Sequence, residues 1–307
     1  MKTDYEAIKK MLKSKVPSAD LPTKYEYNLD RKKKSLTITV KFKSMSENMQ
    51  KDEAAFDSWA IALKYYLKEY LDIIIIDWED VHDNVSLSLQ THCNRFFYRL
   101  AKFVQTYDWV KCAKTIPDIP TILMCNFGLK EAAKKEKHLD DSEGKLECEY
   151  VERHMKEYDV LDHQFAVGLF KETVSKTTYY TPGGKSAIDI WGVKGDQFYI
   201  FELKIPTNKP LGIISELFFY TNVIDDLLSH RLMYESGKKR DNAIANNYRN
   251  FSEFYKYYQN GCIKGITSVF LADNLHTLLT DELIGFINDS ARWKYKNIVF
   301  ESRKVSL

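Results

Sequence analysis

The stretch KSAIDIWGVKGDQFYIFELKIPTNKPLGIISELFFY, residues 185–220, sets the tightest limit on the fold. Ser186–Val193 is one apolar run and Phe198–Ile205 another, and Lys194-Gly195-Asp196-Gln197 between them is a turn signal. The pattern predicts a β-hairpin. One strand carries a single acid, Asp189. The other carries Glu202 and Lys204, which are two apart and share a face, while Leu203 points the other way into a core. Charges on strands this apolar are costly to bury without partners. A divalent cation would compensate them. Two carboxylates supply hard oxygen ligands of the kind Mg²⁺ takes, and a lysine beside the ion can orient or deprotonate a water, or neutralise a developing phosphorane charge. A structural reading stands beside this one: Asp189 as a salt-bridged acid, with Glu202 and Lys204 as a cross-strand pair on a half-exposed hairpin.

A helix signal follows at once. Pro210 suits a first helical position with Thr207 or Asn208 as its cap, and Leu211, Ile214, Leu217, Phe218, Val223, Ile224, Leu227 and Leu228 mark a largely apolar helix to about Leu232. Glu216 and Tyr220, four apart, share one face of it. Asp189, twelve residues, then Glu202-Leu203-Lys204 resembles the PD-(D/E)XK nuclease superfamily, with Ile188 at the variable proline position. Glu216 and Tyr220 resemble the Q-x-x-x-Y signature of RecB-type exonucleases, with Glu in place of Gln.

The resemblance implies a restriction-endonuclease-like α/β (α+β) fold, a mixed central sheet flanked by helices. It implies that Asp189 and Glu202, with the main-chain carbonyl of Leu203, hold Mg²⁺, for which Mn²⁺ can substitute. It makes Lys204 the residue that assists the attacking water, and Glu216 and Tyr220 residues that shape the site. In relatives a preceding helix offers a further acid; Glu152 is the candidate, with Glu157 and Glu149 as alternatives. Lys185, leaving the Thr181-Pro182-Gly183-Gly184 loop, is a candidate phosphate contact and equally an exposed loop lysine. The implied activity is metal-dependent phosphodiester hydrolysis, in DNA first, in a restriction, repair or defence setting. An RNA nuclease and an inactive nuclease-fold module that binds nucleic acid or protein are the alternatives.

The remaining chain is divided by composition. Residues 128–149 are the most charged and least apolar window and read as a connection between an N-terminal α/β unit, 1–127, and a nuclease-like domain, 145–307. The N-terminal unit would serve substrate selection, a partner or dimerisation, a homodimer included. Within it, Leu36, Ile38, Val40 and Phe42 alternate as a strand beside the basic turn Arg31–Lys34. Asp77, Glu79, Asp80, His82 and Asp83 follow an apolar run and read as an acidic strand exit in preference to a second metal site. In the C-terminal part, Val151, Met155 and Tyr158 read as the inward face of a helix, and Asn242–Gln259 as one aromatic-rich helix.

The balance of 45 basic against 43 acidic residues gives a net charge of +2, so any nucleic-acid surface must be local. Five cysteines without a C-x-x-C pair argue against structural zinc and fit reduced thiols in a cytoplasm. Ile73–Ile76 is too short to span a bilayer, and the charged N-terminus has no signal-peptide core, so the expectation is a soluble, cytoplasmic protein without a membrane partner.

Overall fold

Period-two alternation gives the first sheet its buried face: Leu36, Ile38 and Val40 are inaccessible, while Thr37 and Thr39 are half-buried. The computed structural model describes residues 2–82, 85–127, 142–182, 186–205, 210–234 and 237–305. It is a mixed α/β protein. In chain order the elements begin with α1 (Lys2–Lys15), β1 (Glu26–Asp30), β2 (Ser35–Val40), α2 (Phe42–Met45), α3 (Phe56–Tyr66), β3 (Ile73–Trp78), α4 (Leu87–Thr106) and β4 (Val110–Cys112). Next come β5 (Leu123–Cys125), α5 (Ser142–His154), β6 (Val160–Ala166), β7 (Leu169–Phe170), β8 (Ala187–Lys194), β9 (Gln197–Lys204) and α6 (Ile213–Leu228). The last are β10 (Leu232–Tyr234), α7 (Lys238–Asn246), α8 (Phe251–Gln259), β11 (Gly265–Ala272), α9 (Asp281–Asn288), α10 (Ala291–Lys296) and β12 (Ile298–Arg303).

The chain packs as two units. The first comprises Met1–Ile119, Pro210–Glu216 and Leu275–Trp293; the second comprises Pro120–Lys209, Leu217–Asn274 and Lys294–Leu307. The first unit holds the sheet β1-β2-β3-β4, with β1 antiparallel to β2 and the other three strands parallel. Its centre is a buried ion pair: Arg99 on α4 donates through Nη2 to Asp57 on α3 at 2.5 Å, and both side chains are almost wholly enclosed. Arg99 also donates to the Ala54 carbonyl at 3.2 Å. Ser215 donates its hydroxyl to the same Asp57, and this draws the segment 210–216 into the unit. Gly212 is required there, because a Cβ would lie 2.0 Å from the Gln50 carbonyl oxygen. The later segment is tied in by Tyr66, which donates to the Leu278 carbonyl, and Tyr107, which donates to the Ile287 carbonyl, each at 2.8 Å.

In the second unit β5 pairs in parallel with β10 and antiparallel with β7. The larger sheet has the order β12-β11-β9-β8-β6. β6, β8 and β9 form an antiparallel meander, and β11 and β12 run parallel to β9. The β8–β9 hairpin turns through Gly195 at φ +60°, the positive value that a type II′ turn requires at its first central residue. One face of the sheet, with Ile190, Phe201, Leu203, Val269 and Leu271, packs against Tyr150 of α5. The other carries Trp191 and Phe198, 5.8 and 5.5 Å from the Phe254 ring of α8, and Ser268, whose hydroxyl lies 2.6 Å from that of Thr221 on α6. Helices therefore cover both faces.

Two local expectations differ from the structure. Asn242–Gln259 is not one helix: Asn247, Arg249 and Asn250 all have φ between +41° and +53°, which ends α7 and restarts the chain as α8. Met155 is 55% exposed, because α5 gives way to a 3₁₀ turn at Met155–Glu157 and the inward face ends with it. No helix among the described residues is long and apolar enough to cross a membrane.

Breaking the Asp57–Arg99 pair leaves a carboxylate stranded in the core. Arg99→Met is expected to destabilise the protein by about 3 kcal/mol or more. Urea unfolding checks this, and a loss below about 1 kcal/mol, the surface-pair range, would remove the pair from its central place.

Candidate active site

The hairpin forks at its open end. Pairing between β8 and β9 runs from Lys194↔Gln197 to Ile190↔Phe201 and stops there. Beyond that point β8 continues beside β6 to Ala166↔Ala187, and β9 continues beside β11 to Ala272↔Lys204. Asp189 and Glu202 are the next residues on the two sides of the fork. The amide N–H of Leu203, which has no β8 carbonyl to meet, donates to Asp189 Oδ2 at 2.9 Å. A backbone donor in this position must find a partner, and the acid supplies it.

Glu202 and Lys204 share the face opposite Leu203, as their spacing predicts. They are 1% and 5% exposed, so the half-exposed surface pair is not what the structure contains. Lys204 Nζ donates to Glu202 Oε1 at 2.7 Å. It also stands 4.0 Å from Glu143 on α5. Asp189 is half-buried.

α5 brings two acids to this end of the sheet, Glu143 and Glu147, four residues apart on one helix face. Glu147 is 4% exposed and accepts from Gln164 Nε2 on β6 at 2.7 Å. Its carboxyl is pushed up to about 8, first by burial and then by the negative charge of Asp189, with Lys204 opposing. Gln164 lies opposite Asp189 in the β6–β8 register, between the pairs His163↔Ile190 and Phe165↔Ile188. Its φ is +56°, an uncommon value for a residue inside a strand and a form of local strain that collects at functional sites.

The sequence-derived candidates divide accordingly. Asp189, Glu202, Leu203 and Lys204 come together at the fork. Glu152 does not join them: it is exposed on α5, as its residue number puts it on the helix face turned from the sheet, and Glu147 holds the inward position. The alternatives do not fill that position either. Glu149 is engaged by Lys145 at 3.6 Å and exposed Glu157 by His154 at 2.7 Å. Glu216 is buried in the first unit, where its carboxylate accepts from Gln50 Nε2 at 2.6 Å, and Tyr220 is buried beside Phe219. Lys185 and the helix-cap candidates Thr207 and Asn208 lie outside the described residues. The acids after β3 are held by lysines: Glu79 by Lys41 at 3.0 Å, and Asp80 and Asp77 by Lys114 at 2.9 and 3.9 Å. Among the described residues no three His, Cys, Asp or Glu side chains are arranged as a metal-ligand group.

Glu143, Glu147 and Gln164 were not singled out from the sequence. The signal for the first two was the i, i+4 spacing of acids just ahead of Leu146 and Tyr150. Comparison with family models, with curated proteins and with solved structures finds no match for the chain.

The Glu147 carboxyl makes stability depend on pH. Its folded value of about 8 lies above the ordinary 4.5, so the unfolded chain releases the proton first and stability falls as pH rises between these values. Glu147→Gln removes this loss and keeps an acceptor for Gln164. In chelator the variant is expected to exceed the wild type by roughly 1–3 kcal/mol near about pH 9 and to match it near about pH 4. Chemical unfolding at both values checks the sign; an equal difference at both would show that Glu147 titrates normally.

Proposed function

We propose that the second unit is a Mg²⁺-dependent nuclease with DNA as its substrate, working at the β8–β9 fork. The observation that carries this reading is the convergence of Asp189, Glu202 and Lys204 where the strands part, with Glu147 delivered by the preceding helix. The order of elements supports it as well. Helix, antiparallel strands, helix, parallel strand is what the PD-(D/E)XK resemblance implies, and α5, β6, β8, β9, α6 and β11 run in that order.

The donor chemistry suits the proposed ion. Asp189, Glu202 and the Leu203 carbonyl offer hard oxygens, and Mg²⁺ takes few protein ligands while keeping several waters. When bound, the cation would lower the pKa of a water and offset the charge of the scissile phosphate. Lys204 has three N–H donors, of which Glu202 takes one, and it orients the attacking water. Glu147 is the first-helix acid in this proposal, in place of Glu152. Protonated at neutral pH, it donates a hydrogen bond where a carboxylate would only accept.

The test is cleavage of linear, circular and single-stranded DNA, and of RNA, with Mg²⁺ or Mn²⁺. Glu202→Gln and Lys204→Met are each expected to lose about 100-fold or more, the scale of removing a preorganised charge from the transition state. Glu147→Gln is expected to reduce the rate, and Glu152→Gln to leave it unchanged. Cutting of RNA alone would move the substrate to RNA. Metal-independent DNA binding without cutting would favour a nuclease-fold binding module, and a folded protein that neither cuts nor binds would end the reading.

A further inference from the structure

The first unit contains a cavity of about 580 Å³ that the nuclease reading does not use. The volume is in the range of small-molecule sites. It opens at the carboxyl ends of parallel strands, where open α/β sheets bind ligands. Trp78 ends β3 and lines it, and so do Lys114 and Thr115, which follow β4. The basic turn Arg31–Lys34 joins β1 to the start of β2 and is therefore at the other end of the sheet.

The lining favours a planar, neutral ligand. Trp78 and Phe97 form an aromatic wall, with ring centroids 5.6 Å apart. Gln90 and Asn94 lie one turn apart on α4, and Gln90 Nε2 donates to Asn94 Oδ1 at 2.9 Å. That bond fixes both amides and sets the Gln90 carbonyl acceptor next to the Asn94 N–H₂ donor. Charge at the rim decides against an anion. Lys114 donates to the Trp78 carbonyl at 2.7 Å and to Asp80 at 2.9 Å, with Asp77 3.9 Å away, so one cation faces two carboxylates. A phosphate would meet a lysine already committed.

We infer that this cavity is a nucleobase-binding site, in which the aromatic wall stacks on the ring and the Gln90–Asn94 pair reads an acceptor–donor edge. Stacking on aromatic side chains and amide readout of base edges are the two interactions by which proteins hold an unpaired base. The site takes the base of a free nucleoside or a base presented by a strand, and it stands whether or not the second unit cuts phosphodiesters.

The experiment is calorimetric titration of the full chain, in chelator, with adenosine, guanosine, cytidine and thymidine, and with single-stranded homo-oligonucleotides of the same bases. One base is expected to bind saturably, and Gln90→Ala and Asn94→Ala each to weaken it about tenfold, the scale of one lost amide–base contact, without change in melting temperature. Asn94→Asp, which exchanges donor for acceptor, is expected to change which base binds best. Binding of the nucleoside itself assigns a free ligand; binding of the oligonucleotide alone, with the same loss in the variants, assigns a base within a strand. If no base binds in either form, or if binding survives both alanine variants, the inference is overturned.

Discussion

A lysine and a glutamate buried side by side at the end of β9 impose the main constraint on the second unit. Neither charge is tolerable alone at that depth. Lys204 needs carboxylates and Glu202 needs a donor, and their shared strand face supplies one contact at 2.7 Å. The rest must come from other elements. β8 contributes Asp189 because it leaves β9 after Ile190, and α5 contributes Glu143 and Glu147 because Tyr150 and Leu146 hold the helix on the sheet. The apolar packing on one face and the polar cluster at its end thus position each other. Tyr150 and Phe201, 5.6 Å apart, set the helix; the helix sets the acids.

The cluster is unbalanced, with Glu143, Glu147, Asp189 and Glu202 against Lys204. The structure relieves part of the imbalance by proton uptake, since burial and the Asp189 charge hold the Glu147 carboxyl protonated at neutral pH. A protonated acid is also a donor, and this changes what Glu147 offers to its surroundings. Gln164, in a backbone conformation that strands rarely adopt, turns its amide to the same carboxyl. A bound cation is a second route to the same relief, and it is the physical reason for treating the fork as a site and not as a structural ion pair.

Alternation made the hairpin legible. Its turn, its two charged positions on one face and the core role of Leu203 all follow from a period of two. The missed acids were hidden by composition. Glu143 and Glu147 belong to a window so charged that it reads as a connection, and only the packing of Leu146 and Tyr150 identifies its end as a helix with an inward face. Starting the helix four residues late then moves the expected acid to Glu152, on the wrong side. The break between α7 and α8 was invisible for a different reason: Asn247, Arg249 and Asn250 adopt positive φ without a glycine to signal it. That Ser215 and Gly212 pack against the first unit depends on Asp57 and Gln50, more than 150 residues earlier, a separation no local pattern reports.

The fork and the cavity share a physical origin within their separate units. Where strands stop pairing, backbone groups lose their partners and side chains must replace them. At the fork the Leu203 N–H is met by Asp189. At the end of β3 the Trp78 carbonyl is met by Lys114, which in turn collects Asp80 and Asp77. A charge recruited to satisfy the backbone needs a countercharge, so polar chemistry accumulates at such ends while the strands behind them remain apolar. Sign then separates the two places. The fork gathers more carboxyls than its lysine can balance and is suited to a cation. The cavity spends its lysine on its own acids and leaves aromatic rings and amides as the groups free to recognise a neutral ring.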